Sequence, residues 1–165
     1  MTADAQLDGL ILEIAVDDTF LHVGRPADVL THATKEVERL VGPAPPPSAE
    51  VREVEFFDTR GRPLVPQVAA TLRVVGLRPR GRGSIRGVER RVRRVLDHAQ
   101  AVLDVNPSLG DRGPALPPAT SVPRPPGDLA EMLESLAQEL ALDGPRPDRG
   151  GWFHNLMHAA GWTHS

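Results

Sequence analysis

The chain has 165 residues and a formal net charge of −3, a size that fits one domain or a smaller domain with extensions. With no cysteine, disulfides, thiolate metal sites and cysteine nucleophiles are excluded. No apolar run approaches the length a bilayer requires, and the start MTADAQLDG lacks the basic and apolar parts of an export signal, so a cytoplasmic protein without a membrane partner is expected.

Leu10, Leu12, Ile14 and Val16 alternate with Ile11, Glu13, Ala15 and Asp17, the pattern of a strand with one apolar face. Asp17-Asp18 then turns the chain, and Thr19–Val23 extends the strand or returns from it. Pro26 suits the first position of a helix, with Asp28 in its first turn and apolar residues at helical spacing up to Val41 and Gly42. The string GPAPPPS follows as a stiff connector. Val51–Phe57 reads as a strand, and Asp58-Thr59-Arg60-Gly61 as hairpin-turn chemistry. Pro63 and Pro66 cannot donate to a ladder, which places the next stretch at an edge or outside the sheet. Ala69–Leu77 is a cleaner strand.

Ser84 suits the N-cap of the longest helix, running to about Val105, where Asn106-Pro107 stops it. Its apolar stripe is Ile85, Val88, Val92, Val95, Ala99 and Val102, supported by Leu96 and Leu103. Residues 107–127 carry many prolines and little apolar periodicity, as in an extended linker. A leucine-striped acidic helix is expected over Asp128–Leu142, and a short helix or turn over Trp152–Trp162. The order β-α-β-β-α predicts an α+β fold, a small mixed or antiparallel sheet of three or four strands covered by two helices. The domain reading is a core over 1–105, a Pro-rich linker over 106–127 and a C-terminal helical extension over 128–165.

Between Thr71 and Val95 nine arginines face a single acid, Glu89, whereas residues 1–50 and 127–165 are both acidic. Such concentration calls for a solvated face, an anionic partner or an acidic surface of the same chain. Eighteen arginines against one lysine also fit the coding bias of a GC-rich, bacterial genome. The candidate basic face is Arg78, Arg80, Arg82, Arg86, Arg90, Arg93 and Arg94. Candidate apolar docking residues are Leu129, Leu133, Leu136, Leu140, Trp152, Phe153 and Trp162, on a segment tethered by the linker.

Arg60-Gly61-Arg62-Pro63 resembles the core of an AT-hook, a reader of the DNA minor groove, and Pro79-Arg80-Gly81-Arg82 comes close to it. The first string coincides with the expected hairpin turn. With no tyrosine, four Phe and two Trp, few stacking platforms exist for single-stranded nucleic acid. His154 and His158 share a helical face at zinc-ligand spacing, but Asn155 stands where a zinc protease needs its glutamate. Gly81-Arg82-Gly83-Ser84 before a helix would suit a phosphate, without the rest of a phosphate loop. No nucleophile lies beside a base. The functional expectation is therefore a non-enzymatic accessory protein that docks on a protein partner, or on a second copy, through its basic helix and C-terminal helices. Duplex DNA binding through residues 78–94 is the alternative, and zinc binding by the two histidines a weaker one.

Overall fold

Strand β1, Ile11–Ala15, is buried along its whole length, because it lies inside a sheet that is covered there on both faces. The computed structural model describes residues 9–30, 54–71, 73–141 and 152–162. Five strands form one antiparallel sheet in the order β2-β1-β3-β4-β5, with β2 Leu21–Gly24, β3 Val54–Phe57, β4 Pro63–Val68 and β5 Val74–Pro79. The fold is thus α+β, with five strands where three or four were expected. Thr19–Val23 returns rather than extends, pairing Leu12 with Val23 and Ile14 with Leu21.

The stretch after Pro63 lies inside the sheet, not at its edge, and its prolines explain how. Pro66 has no N–H to give, so its pairing with Leu77 is of the type that exchanges no hydrogen bonds. The β3–β4 ladder reaches only Phe56–Leu64 and Phe57–Pro63. Pro66 therefore falls where neither neighbour requires a donor. On that side the sheet ends at β5, which carries Pro79, exposed Arg78 and an irregularity opposite Gln67 and Val68 that leaves Val75 63% exposed, with exposed Arg73 just before it. Proline, bulge and charge are what discourage edge-to-edge pairing.

Residues 26–30 open helix α1, whose Val29 packs with Ile11, Phe56, Leu64, Val74 and Leu77 on one face of the sheet. The remainder of the helix expected up to Val41 lies outside the described residues. On the opposite face sits α2, Ile85–Val105, capped by the Ser84 hydroxyl, which accepts from Gly87 N–H at 3.0 Å, and ended at Asn106. Val88, Val92, Val95, Leu96, Ala99 and Leu103 form its buried side, whereas Ile85 is 45% exposed and falls out of the expected stripe.

The start of α2 is pressed against the β3–β4 turn. Ser84 N–H donates to Gly61 O, and a Cβ on Gly83 would stand 2.4 Å from that same oxygen. Gly61 itself has φ 72° and would drive a Cβ to 2.9 Å from the Ser84 carbonyl. Gly83→Ala is expected to cost about 1–3 kcal/mol, because backbone rather than a flexible side chain must yield. A fall in thermal midpoint with loss of helical circular dichroism is the readout; an unchanged midpoint would show that the junction is loose.

After α2, the 3-10 turn Pro107–Gly110 packs on α2 and on α4, Trp152–Trp162. The Pro-rich stretch then runs back along α2. Gln100 fastens it, its amide N–H groups reaching Asp104 Oδ1 and Thr120 O and its oxygen accepting Val122 N–H at 2.9 Å. Ala119 and Val122 are buried. Asp128 caps α3, Leu129–Ala141, by accepting Glu131 N–H at 3.0 Å. Helices α3 and α4 share one core with β1, β2 and α2. Leu129–Ala141 and Trp152–Trp162 are therefore packed in the same core as the sheet. No helix among the described residues is long and apolar enough to cross a membrane.

Candidate interaction surface

Helix α2 turns its valines inward, so the intervening arginines point outward. Arg86, Arg90 and Arg93 recur at spacings of four and three and are exposed, as are Arg80 and Arg82 in the loop before the helix. Among the described residues, none of these five makes an ion pair with an acid. For Arg86 the position is electrostatically costly. It sits in the first turn of α2, which has no acid, and a cation at the positive end of a helix opposes it by about 0.3–1 kcal/mol. An anion bound there would offset that cost.

Two other arginines behave differently. Arg91, three residues after Val88 and four before Val95, is flanked by the apolar stripe and leaves only 17% of its side chain exposed. Its Nε donates to Asp18 Oδ1 at 2.7 Å, its Nη1 to Glu55 Oε2, and its Nη2 to Ala15 O at 3.0 Å. The same guanidinium lies 5.6 Å from the centre of the Phe57 ring. Arg94 reaches the second Asp18 oxygen at 2.8 Å. Burial acts to lower the Arg91 pKa, but hydrogen bonds and charge from Asp18 and Glu55 more than offset it and hold the guanidinium above its ordinary value.

Asp18 can serve both arginines because of the β1–β2 turn. Its N–H donates to Ala15 O at 2.9 Å and its φ is 57°, the left-handed region that aspartate tolerates better than most residues. Asp17 braces the turn by accepting both the N–H and the hydroxyl of Thr19. Arg91 and Asp18 were not among the candidate residues. The signal was there, in an arginine placed beside the apolar stripe rather than opposite it.

At the end of β5 the arginines meet the uncovered part of the sheet. Val65, Gln67, Arg78, Pro79 and Arg80 line an open depression of about 320 Å³. With its amide oxygen turned toward Arg78, Gln67 accepts from Nε at 3.1 Å and Nη2 at 3.0 Å. Arg78 is thus positioned by a neutral partner and keeps its charge. The AT-hook-like string Arg60–Pro63 is folded into the hairpin turn, where Asp58 accepts Arg60 N–H, Arg62 N–H and Arg62 Nε at 2.6–2.9 Å. It is not an extended arm. Nor is the Gly81–Ser84 loop an open phosphate cradle, since Gly83 abuts Gly61 and Ser84 N–H is already committed.

The apolar residues singled out in the C-terminal helices lie mostly inside. Leu129, Leu133, Leu136 and Phe153 are buried in the shared core, and Leu140 and Trp152 are partly buried against it. They fill the protein's own interior in place of the expected exposed docking stripe; the side chain of Trp162 lies outside the described residues. What α3 leaves outward is acidic: Glu131, Glu134 and Glu139 are exposed and make no ion pair among the described residues. His154 lies on α4, with the His158 side chain outside the described residues. Among those described, no group of three or more His, Asp or Glu gathers around a metal position.

Comparison with protein-family models, curated proteins and solved structures finds no match. Function must therefore be read from the surface chemistry: permanently charged, forked donors suited to carboxylates and phosphates.

Proposed function

We propose that the chain is a non-enzymatic interaction protein that docks on an acidic protein surface through Arg78, Arg80, Arg82, Arg86, Arg90 and Arg93. The observation that carries this reading is the row of exposed arginines along the N-terminal half of α2 that makes no ion pair among the described residues. With the α3 and α4 apolar stripes packed into the shared core, the reading rests on charge. Charge of this kind steers encounter and selects partners more than it builds affinity.

Binding of duplex nucleic acid would use the same arginines. It has less behind it, because the AT-hook-like string is held in a turn. Retention on immobilised polyglutamate and on a short DNA duplex separates the two readings. The expected result is retention on polyglutamate that salt reverses, and that drops about tenfold or more in Arg86→Ala/Arg90→Ala/Arg93→Ala. Stronger retention on duplex, with a steep logarithmic salt slope, would favour nucleic acid. An unchanged triple variant would overturn both.

A further inference from the structure

We propose that the acidic surface met by the arginine row is the outer face of α3 in a second copy of the chain. This rests on the docking reading above and names its partner. Arg86, Arg90 and Arg93 form a row on α2 and Glu131, Glu134 and Glu139 a broader face of opposite sign on α3, and at the helical rise they extend about 10 Å and about 12 Å. Within one chain they do not neutralise each other: among the described residues no ion pair joins α2 to α3. Each helix turns its apolar side to the common core, so both charged faces are outward and rigidly backed.

A two-fold axis running between the rows lays the basic row of each protomer on the acidic row of the other, giving two equivalent contacts. A low net charge of −3 leaves little overall repulsion to oppose this. Pairing through the sheet edge is disfavoured by comparison, since Arg73 and Arg78 of both copies would be brought together beside a bulge and Pro79.

Sedimentation of the full chain, with charge-reversed variants, tests the proposal. Wild type is expected to form a dimer at low salt with a dissociation constant of order 10–100 μM, weakened about tenfold or more by physiological salt. Arg86→Glu/Arg90→Glu/Arg93→Glu alone, and Glu131→Arg/Glu134→Arg/Glu139→Arg alone, should be monomeric. Their equimolar mixture should restore a one-to-one dimer. Glutamine at the three arginines serves as a milder set with thermal melts as the folding control, and is expected to weaken the dimer at least tenfold. A wild type that stays monomeric at low salt, a dimer indifferent to salt, or a mixture that stays monomeric would overturn the proposal. If self-association is absent while polyglutamate retention persists, the docking reading stands with an external acidic partner; if both are absent, the docking reading falls as well.

Discussion

Arg91→Met is expected to lower the unfolding free energy by about 3 kcal/mol, the range associated with breaking a largely buried ion pair. Methionine keeps most of the stem volume, so the loss isolates the charged contacts. Asp18 would retain only Arg94, whose side chain is 62% exposed, and Ala15 O would lose the guanidinium bond. Asp18→Ala and Asp18→Gly divide the same node differently. Both remove the carboxylate, but alanine must also hold a left-handed backbone, so it is expected to cost about 1 kcal/mol more than glycine. The sign of the pH effect follows from the raised Arg91 pKa. Its stabilisation is complete below the unfolded value and is lost only as pH climbs through the still higher folded value. The penalty from Arg91→Met should therefore be equal at neutral and mildly alkaline pH. Urea titrations of the variants give the check, and a change within about 0.5 kcal/mol would show that the node holds nothing.

Phe153→Ala should be more damaging still, at about 3–5 kcal/mol, and Leu133→Ala about 2–5 kcal/mol. Both side chains are fully buried in the core joining the sheet, α2, α3 and α4. Truncation after Val105 makes the same point at larger scale. It would uncover Val95, Leu96, Ala99 and Leu103 on α2 together with Leu12 and Leu21 in the sheet. Such a fragment is expected to lose its cooperative urea transition and to bind a hydrophobic dye. A fragment of residues 1–105 that unfolds with the cooperativity and midpoint of the full chain would show that α3 and α4 are accessories to the core.

Local signals were legible where one residue type decides the outcome. Ser84 and Asn106-Pro107 marked both ends of α2 because capping and a missing N–H act within a single turn. The stretch Trp152–Trp162 was legible only as a short helix or turn, and it is helical. Signals failed where the decision is tertiary. Nothing local distinguishes a leucine stripe that meets its own sheet from one that waits for a partner, and Leu133 and Leu136 took the first course. Pro66 argued against an interior strand, yet the register turned its missing donor to a place where no ladder needs one. Glu13 looked like the polar side of a half-exposed strand, and covering of both sheet faces buried it. The arginine row was visible as composition. Its division into Arg91, turned inward, and Arg86, Arg90 and Arg93, left outward, required the position of Asp18.

The turn at Asp18 has a mechanical consequence for recognition. By gripping Arg91 and Arg94 together, it sets the roll of the α2 cylinder about its long axis. In the proposed docking, that azimuth would be chosen before a partner arrives, and little entropy would be spent orienting it. The ridge is thus aimed by a carboxylate that lies outside it.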